Sequence, residues 1–580
     1  MPRTVIKIAG ESGMGIESSG MIVMKALKEM GFWVYGEREF PSLIKGGRAN
    51  IQINFSDQQI YGMSDKIDIS VAVDREGLLD SLETTKNRGI IINGFERWNK
   101  VIKNLDSIAE EKNLQIIHIP AREIAFSNGG NIIMVNVILL AYLWQVLGLD
   151  LEQLNDQIKI QFASKPDLIP VNLACSQGGF DFNPENGHPS FENLIDRTSL
   201  NKSPKILIDG NSSLVLGAIA AGVRTYFGYP MSPSSSILTY IADLADEYGI
   251  IVKQVEDEIT AVQMSLGSMH MGTRSLTATS GGGFDLMTET VSLSAMIETP
   301  LVVIIAQRPG PATGLPTWTG QADVNLAIHA GHGEFARLVV ACSEPESCFN
   351  LIQKTFNLAE KYQIPAIVLT EASIGMSYST VLPFEQKIPV QRHLEENNPE
   401  LTQNQRYQIT DSGVSKRWLP GTHEAVYFAN GDEHWDGGQL TETAEDTKAM
   451  INKRNIKEKS LLADLPEPEL YGNPTAKTTI VGFGSTKKAV LDSLEILKTK
   501  GVEVNYLHYE FLWPVKTETI KSLFKNGNNL ILIEGNYQGQ FGTILEQKAE
   551  IKFSKKLLKY NGRPVVLEDV VAFVKSEIIN

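Results

Sequence analysis

Strand-length apolar runs separated by helix-length amphipathic stretches recur along most of the chain, and no other feature restricts the fold as tightly. Near the start TVIKIAG leads through a glycine-rich turn into MIVMKALKEMG, and FWVYGE, IQINF, DISVAV, GIIING and LQIIHIP follow as strand candidates. Strands alternating with helices predict a mostly parallel sheet covered by helices. The alternation resumes at Lys205 with KILIDGN and runs through VRTYFGYP, GIIVKQVE, RSLTATS, TPLVVIIAQ and ARLVVA to IPAIVLTE. It appears a third time in TTIVGFGS, VEVNYLHYE and NLILIEGN. The expected fold class is α/β in three α/β domains. A chain of 580 residues is too long for one core, since cores stop growing at roughly 250–300 residues. The expected boundaries are 1–195, ending in an Asn/Pro/Gly-rich arm, then 196–375, then an irregular charged connection over 376–473, then 474–580.

Composition excludes several classes. The net charge of −15 leaves little basic surface for a nucleic-acid groove. The opening MPRTVIKIAG reads as a first strand, not as a secretory leader. Asn131–Leu149 is uncharged and nearly long enough to span a bilayer, but Asn131, Asn136 and Gln145 interrupt it, so a buried helix is expected. Only Cys175, Cys342 and Cys348 are present. That fits a reducing cytoplasm and is too few for the four thiolates of an ordinary [4Fe–4S] cluster. No close metal-ligand set is formed by the nine histidines, so no metal is expected on this chain.

The first glycine-rich turn, AGESGMGIESSG, has Gly10, Gly13 and Gly15 between a strand and a helix. Such glycines let backbone N–H groups approach a phosphate at the helix N-terminus. Three readings fit: a tight turn without ligand, an anion or cofactor contact, or a dinucleotide site with Glu37 on the ribose. Further on, FPSLIKGGRAN places Lys45 and Arg48 on a glycine-flexed loop that could clamp a phosphorylated ligand or simply be solvated.

The middle of the chain carries a run of motifs. Tyr229-Pro230-Met231-Ser232-Pro233-Ser234-Ser235 is followed by KQVEDEITAVQ, by TSGGGF, and by AQRPGPATGLPTWTGQAD. Arg308 ends an apolar strand, where a guanidinium is costly unless it meets an anion. In their order these segments resemble the 2-oxoacid:ferredoxin oxidoreductases, whose YPITPSS, Q-x-E and TSGPG motifs they parallel with Met231 for isoleucine and Ser232 for threonine. RYQITDSGVSKRWLPG…DEH resembles the connection of the 2-oxoglutarate members, with Lys416 where proline is usual, and EGNYQGQFG resembles their transketolase-C-terminal-like domain.

The resemblance implies an α subunit with the γ domain fused at its N-terminus: a γ-type domain, a thiamine-pyrimidine-binding domain and a transketolase-C-terminal-like domain. It implies that Glu256, with Glu258 as competitor, is the catalytic carboxylate on the cofactor's pyrimidine. Tyr229 and Pro230 are then cofactor contacts, Ser232 and Arg308 bind the substrate carboxylate, Thr317 tunes substrate choice, and Lys45 touches coenzyme A. No GDG motif with a following Asn is found for a Mg²⁺–diphosphate site. Thiamine diphosphate is therefore expected to be shared with a β subunit that carries Mg²⁺ and the [4Fe–4S] cluster, in an α2β2 complex with ferredoxin as acceptor and neither nucleic acid nor membrane as partner. The reaction implied is cytoplasmic oxidative decarboxylation of 2-oxoglutarate with coenzyme A to succinyl-CoA and CO2, reversible as in the reductive TCA cycle. The alternatives are pyruvate or branched 2-oxo acids as substrate, or a non-catalytic paralogue.

Overall fold

The computed structural model describes residues 3–41, 46–97, 105–185, 187–189, 191, 200 and 203–578. Residues 1–208, 377–383 and 566–572 form one compact unit and the remainder forms a second.

The first unit is built on an eight-stranded sheet in the order Gln115–His118, Thr85–Asn93, Ile67–Ala72, Thr4–Glu11, Arg48–Ser56, Trp33–Glu39, Tyr378–Val381, Ile206–Asp209. Its first four strands are parallel. Arg48–Ser56 is antiparallel to both neighbours, and Trp33–Glu39 is antiparallel to Tyr378–Val381. The sheet is thus mixed where the sequence predicts a mostly parallel one. Residues 40–47, which join Trp33–Glu39 to Arg48–Ser56, are too few for a crossover helix, so the pair must fold back as antiparallel strands. KILIDGN also departs from expectation: it closes the edge of this sheet instead of opening the next.

The apolar stretch forms the helix Val135–Leu147, buried at every position except Asn136 and Gln145 and ended by Gly148 in the left-handed conformation. Among the described residues no helix is long and apolar enough to cross a membrane.

The second unit carries two sheets. One has seven strands, ordered Phe511–Trp513, Leu338–Ala341, Pro365–Glu371, Leu301–Gln307, Ser275–Thr279, Thr225–Gly228, Ile251–Gln254, parallel except at the Phe511–Trp513 edge. The other has five, ordered Glu469–Gly472, Asn505–Tyr509, Thr478–Phe483, Asn529–Glu534, Lys555–Leu558. One apolar cluster, including Val303, Ile305, Val481, Phe483 and Leu530, runs through both. The central strands Leu301–Gln307 and Pro365–Glu371 are buried at every position and read as near-continuous apolar runs, as parallel strands covered on both faces do, whereas the edge strand Ile251–Gln254 is largely exposed.

The charged segment 376–473 contributes the helix Ala444–Asp464. Its Lys453 and Lys457 both pair with the fully buried Glu298, the latter at 2.6 Å, and Arg406 donates to the Glu298 backbone oxygen at 2.9 Å. This ion cluster fastens the segment to the parallel sheet.

Candidate active site

Parallel strands that end together leave a crevice at their carboxyl ends, where open α/β sheets take their ligands. Here Thr225–Gly228 runs into Tyr229, Ile251–Gln254 into Glu256, Ser275–Thr279 into Gly281, and Leu301–Gln307 into Arg308. The motifs dispersed over eighty positions of sequence therefore converge at one end of one sheet. Tyr229 is 38% exposed, Pro230 is exposed, and Thr317 is half-buried on the loop beyond Arg308. Lys45 lies outside the described residues.

The two candidate carboxylates are separated by burial. Asp257 caps the helix Glu258–His270, its side chain accepting from Thr260 N at 2.7 Å. That cap places Glu256 outside the helix, exposed, where it accepts from Thr260 Oγ1 at 3.1 Å. Glu258 falls in the first turn and is only 4% exposed. Of the two candidates, Glu258 is therefore the buried one and Glu256 the exposed one, both at the carboxyl end of the strand Ile251–Gln254. Among the described residues no protein group hydrogen-bonds the Glu258 carboxylate.

The glycine turn explains itself against these acids. A Cβ at Gly283 would lie 2.0 Å from Thr279 Oγ1 and 2.7 Å from Glu258 Oε1, and one at Gly281 would lie 2.6 Å from Asp323 Oδ2. Gly282 is exposed, and a Cβ there would meet nothing nearer than 3.9 Å. The turn therefore keeps the carboxyl groups of buried Glu258 and half-buried Asp323 close to the backbone and leaves a flat opening above them. Among the described residues the buried atoms Thr279 Oγ1 and Asp323 Oδ2 have no hydrogen-bond partner. Unsatisfied buried polar atoms of this number at one sheet end mark a cradle for a polar ring. The residues thus fit the pyrimidine half of a thiamine site.

Arg308, 8% exposed, donates from Nη1 to the Ser232 backbone oxygen at 2.7 Å. The Ser232 side chain itself is exposed. Among the described residues no carboxylate lies within ion-pair distance of Arg308, and Glu298 is occupied by Lys453 and Lys457. Burial lowers the pKa of Arg308 and the charge of Asp323 opposes that shift. Asp323 is pushed up to about 6 by burial and by Asp285, against Arg308. A guanidinium buried beside backbone oxygen and lacking a close counter-ion is prepared for an anion.

A polar latch that the sequence does not reveal holds the loop between Arg308 and Asp323. Gln321 Nε2 donates to Glu371 Oε1 at 2.8 Å, and Gln321 Oε1 accepts from Gly535 N at 2.7 Å. Thr319 Oγ1 donates to Glu371 Oε2 at 2.7 Å, and Ser485 N donates to Glu371 Oε1 at 3.0 Å. These residues are scattered over more than two hundred positions, so no local pattern could join them.

A separate cavity of about 970 Å³ lies in the first unit. The glycine turn at Gly13 and Gly15, the start of the helix Ile16–Glu29, and the arginines Arg75, Arg97 and Arg122 line it. Asp74 on its wall is already engaged, accepting from Glu11 N at 2.7 Å and Gly77 N at 2.9 Å. Glu37, the dinucleotide candidate, accepts from Tyr35 at 2.8 Å and does not line this space. Gly47 O accepts from Ser12 N at 2.9 Å, tying the Lys45 loop's described flank to the glycine turn.

Comparison with known proteins covers nearly the whole chain. Residues 5–182 match the family described as pyruvate ferredoxin/flavodoxin oxidoreductase, and 216–453 match the thiamine-diphosphate-binding family of the pyruvate flavodoxin/ferredoxin oxidoreductases. Residues 472–568 match the transketolase C-terminal domain. The chain is 28% identical to the α subunit of 2-oxoacid:ferredoxin oxidoreductase 2 of Aeropyrum pernix, over 98% of this chain and 96% of that one. It is 29% identical to the 2-oxoglutarate synthase subunit KorA of Methanothermobacter thermautotrophicus, over 61% of this chain and 94% of the other. Among solved structures, the 2-oxoglutarate:ferredoxin oxidoreductase from Magnetococcus marinus, with 2-oxoglutarate, coenzyme A and succinyl-CoA bound, superposes with TM-score 0.92 at 28% identity over all of both chains.

Proposed function

Because the chain belongs to the 2-oxoacid:ferredoxin oxidoreductases, as an α subunit with a γ-type domain fused at its N-terminus, we propose that it supplies the pyrimidine and substrate-carboxylate half of a site that oxidatively decarboxylates 2-oxoglutarate with coenzyme A. The observation that carries this reading is Arg308: a buried guanidinium without a close counter-ion, at the same sheet end as the glycine turn and the buried, unpartnered Glu258. Bound thiamine diphosphate supplies the carbon nucleophile and the electron sink for decarboxylation. Glu258 shares a proton with the pyrimidine ring nitrogen, a task that needs a fixed and desolvated carboxyl. Arg308 grips a carboxylate of the 2-oxo acid, Tyr229, Pro230 and Ser232 wall the pocket beside it, and Thr317 borders the substrate's side chain.

The diphosphate, its Mg²⁺ and the [4Fe–4S] cluster belong, in this reading, to a β subunit in an α2β2 cytoplasmic complex that passes electrons to ferredoxin and can run in reverse. Support comes from the chain's three buried cysteines, too few for a cluster. Coenzyme A is assigned to the first unit's cavity. Its volume, its arginines and the helix N-terminus at Gly15 suit a phosphorylated nucleotide. Preference for 2-oxoglutarate over pyruvate rests on the RYQITDSG segment and on the names of the 2-oxoglutarate relatives.

The test is 2-oxo acid-dependent viologen reduction by this chain co-expressed with its β partner. Activity that needs the partner and coenzyme A, disappears in Glu258→Gln and survives in Glu256→Gln is the expected result. Turnover of pyruvate but not 2-oxoglutarate would correct the substrate alone. Full activity in Glu258→Gln would remove the proton role assigned to it.

A further inference from the structure

The site holds a second carboxyl, on the half-buried Asp323, that the reaction as described does not use. Asp323 follows the Thr317 loop, and its position is fixed on three sides. Its backbone N–H donates to Gln307 Oε1 at 3.1 Å and its backbone oxygen accepts from Ala327 N at 2.9 Å. On the third side Gln540 brackets it, donating to Ala322 O and accepting from Asn325 N, each at 2.9 Å. The carboxyl sits so close to Gly281 that a Cβ there would lie 2.6 and 2.7 Å from its two oxygens. Yet Oδ2 is buried without a hydrogen-bond partner.

An ionised carboxylate whose buried oxygen is bare carries an uncompensated desolvation penalty. A protonated carboxyl in the same place has a donor to offer. The charged groups that face Asp323 are Arg308, at the end of the neighbouring strand, and Asp285, at the end of the glycine-turn helix; Gln307 and Gln540 are neutral. An anion arriving at Arg308 adds a second negative charge to a low-dielectric space that already contains one.

Resting on the oxidoreductase reading above, we propose that Asp323 takes up a proton when the 2-oxo acid binds and donates it in a hydrogen bond to the carboxylate held by Arg308. Substrate uptake is then coupled to uptake of one solvent proton. Asp323 is a specificity-determining residue: it rewards a carboxylate beside Arg308 and disfavours a neutral group there. Its titration lies in the useful range, since burial and then Asp285 push it up to about 6. The coupling sign follows: affinity for the 2-oxo acid is full below that value and falls as pH rises above it.

The experiment uses the complex of this chain with its β partner. KM and kcat for 2-oxoglutarate are followed between pH 5.5 and 8.5, and glutarate, which has carboxylates but no oxo group, is titrated calorimetrically in two buffers of different ionisation enthalpy. In the wild type KM rises toward a limit of about tenfold per pH unit above the titration while kcat moves little, and glutarate binding takes up a proton. Asp323→Asn, which always offers a donor, flattens the KM profile, binds more tightly than wild type at pH 8, and takes up no proton. A residue that merely braced the loop would never gain affinity on substitution.

An Asp323→Asn profile with the wild-type slope, or weaker binding at pH 8, overturns the proposal. If the variant fails to assemble, the wild-type calorimetry decides, and glutarate binding without proton uptake overturns it. A complex that turns over no 2-oxo acid at any pH overturns the oxidoreductase reading instead.

Discussion

Glu256 and Glu258 are two positions apart, and only their burial tells them apart. Both stand near a strand end in a short acidic run, so sequence alone favours the one directly after the apolar residues. The Asp257 cap starts the helix at Glu258 and turns that side chain under Gly283, leaving Glu256 exposed. Arg308 differs in kind, since an arginine closing an apolar strand is unusual enough to be read directly. Arg308→Lys retains the charge and loses the planar fork. We expect KM for the 2-oxo acid to rise about tenfold or more, with kcat within a few-fold, because a charge-assisted hydrogen bond contributes roughly 1.5–3 kcal/mol. An equal fall in kcat at unchanged KM would show that Arg308 acts on the reacting carbon.

At the scale of elements, the glycine turn and the Ala444–Asp464 helix make separate predictions. Gly283→Ala forces a Cβ to within 2.0 Å of Thr279 Oγ1. It should lower the melting temperature, with overpacking costing roughly 1–3 kcal/mol, whereas Gly282→Ala, with open space before it, should fold as the wild type does. Thermal unfolding of the pair checks this directly. The helix is held by Glu298. Burial alone would raise that carboxyl, but Lys453, Lys457 and Arg406 hold it well below the usual carboxylate range. A carboxyl depressed on folding contributes stability above its unfolded value of roughly 4.3, and the contribution is lost as pH falls toward the folded value. Melting temperature should therefore drop on acidification below about pH 4.5 less steeply in Glu298→Gln than in wild type. Lys453→Met leaves Glu298 with one partner fewer and should cost roughly 3–5 kcal/mol, the usual result of breaking a buried pair.

At the scale of the whole molecule, the chain is two compact units whose boundaries do not follow the chain continuously. Residues 377–383 and 566–572 return to the first unit after the second has been built. Removing the C-terminal residues from 566 onward should therefore destabilise the N-terminal unit. There Glu568 accepts from Ser64 Oγ at 2.5 Å and from Asp65 N at 3.1 Å, and hydrogen exchange in the strand Ile67–Ala72 would report the loss.

The α/β class, the three domain types and the membership of the family were legible from the sequence, because periodicity and glycine-rich turns are local properties that survive without coordinates. The motifs TSGGGF and AQRPG were likewise legible, and each lies at the end of its own strand in the candidate site. Sheet pairing was not local: the antiparallel return at Arg48–Ser56 and the placement of KILIDGN depended on which strand edge was free. The same holds for the buried acids. Which of Glu256 and Glu258 is desolvated, and that Asp323 stands against Gly281 with one oxygen lacking a hydrogen bond among the described residues, follow from side chains brought together over long separations. Desolvation is a property of neighbours, and only the tertiary structure decides who they are.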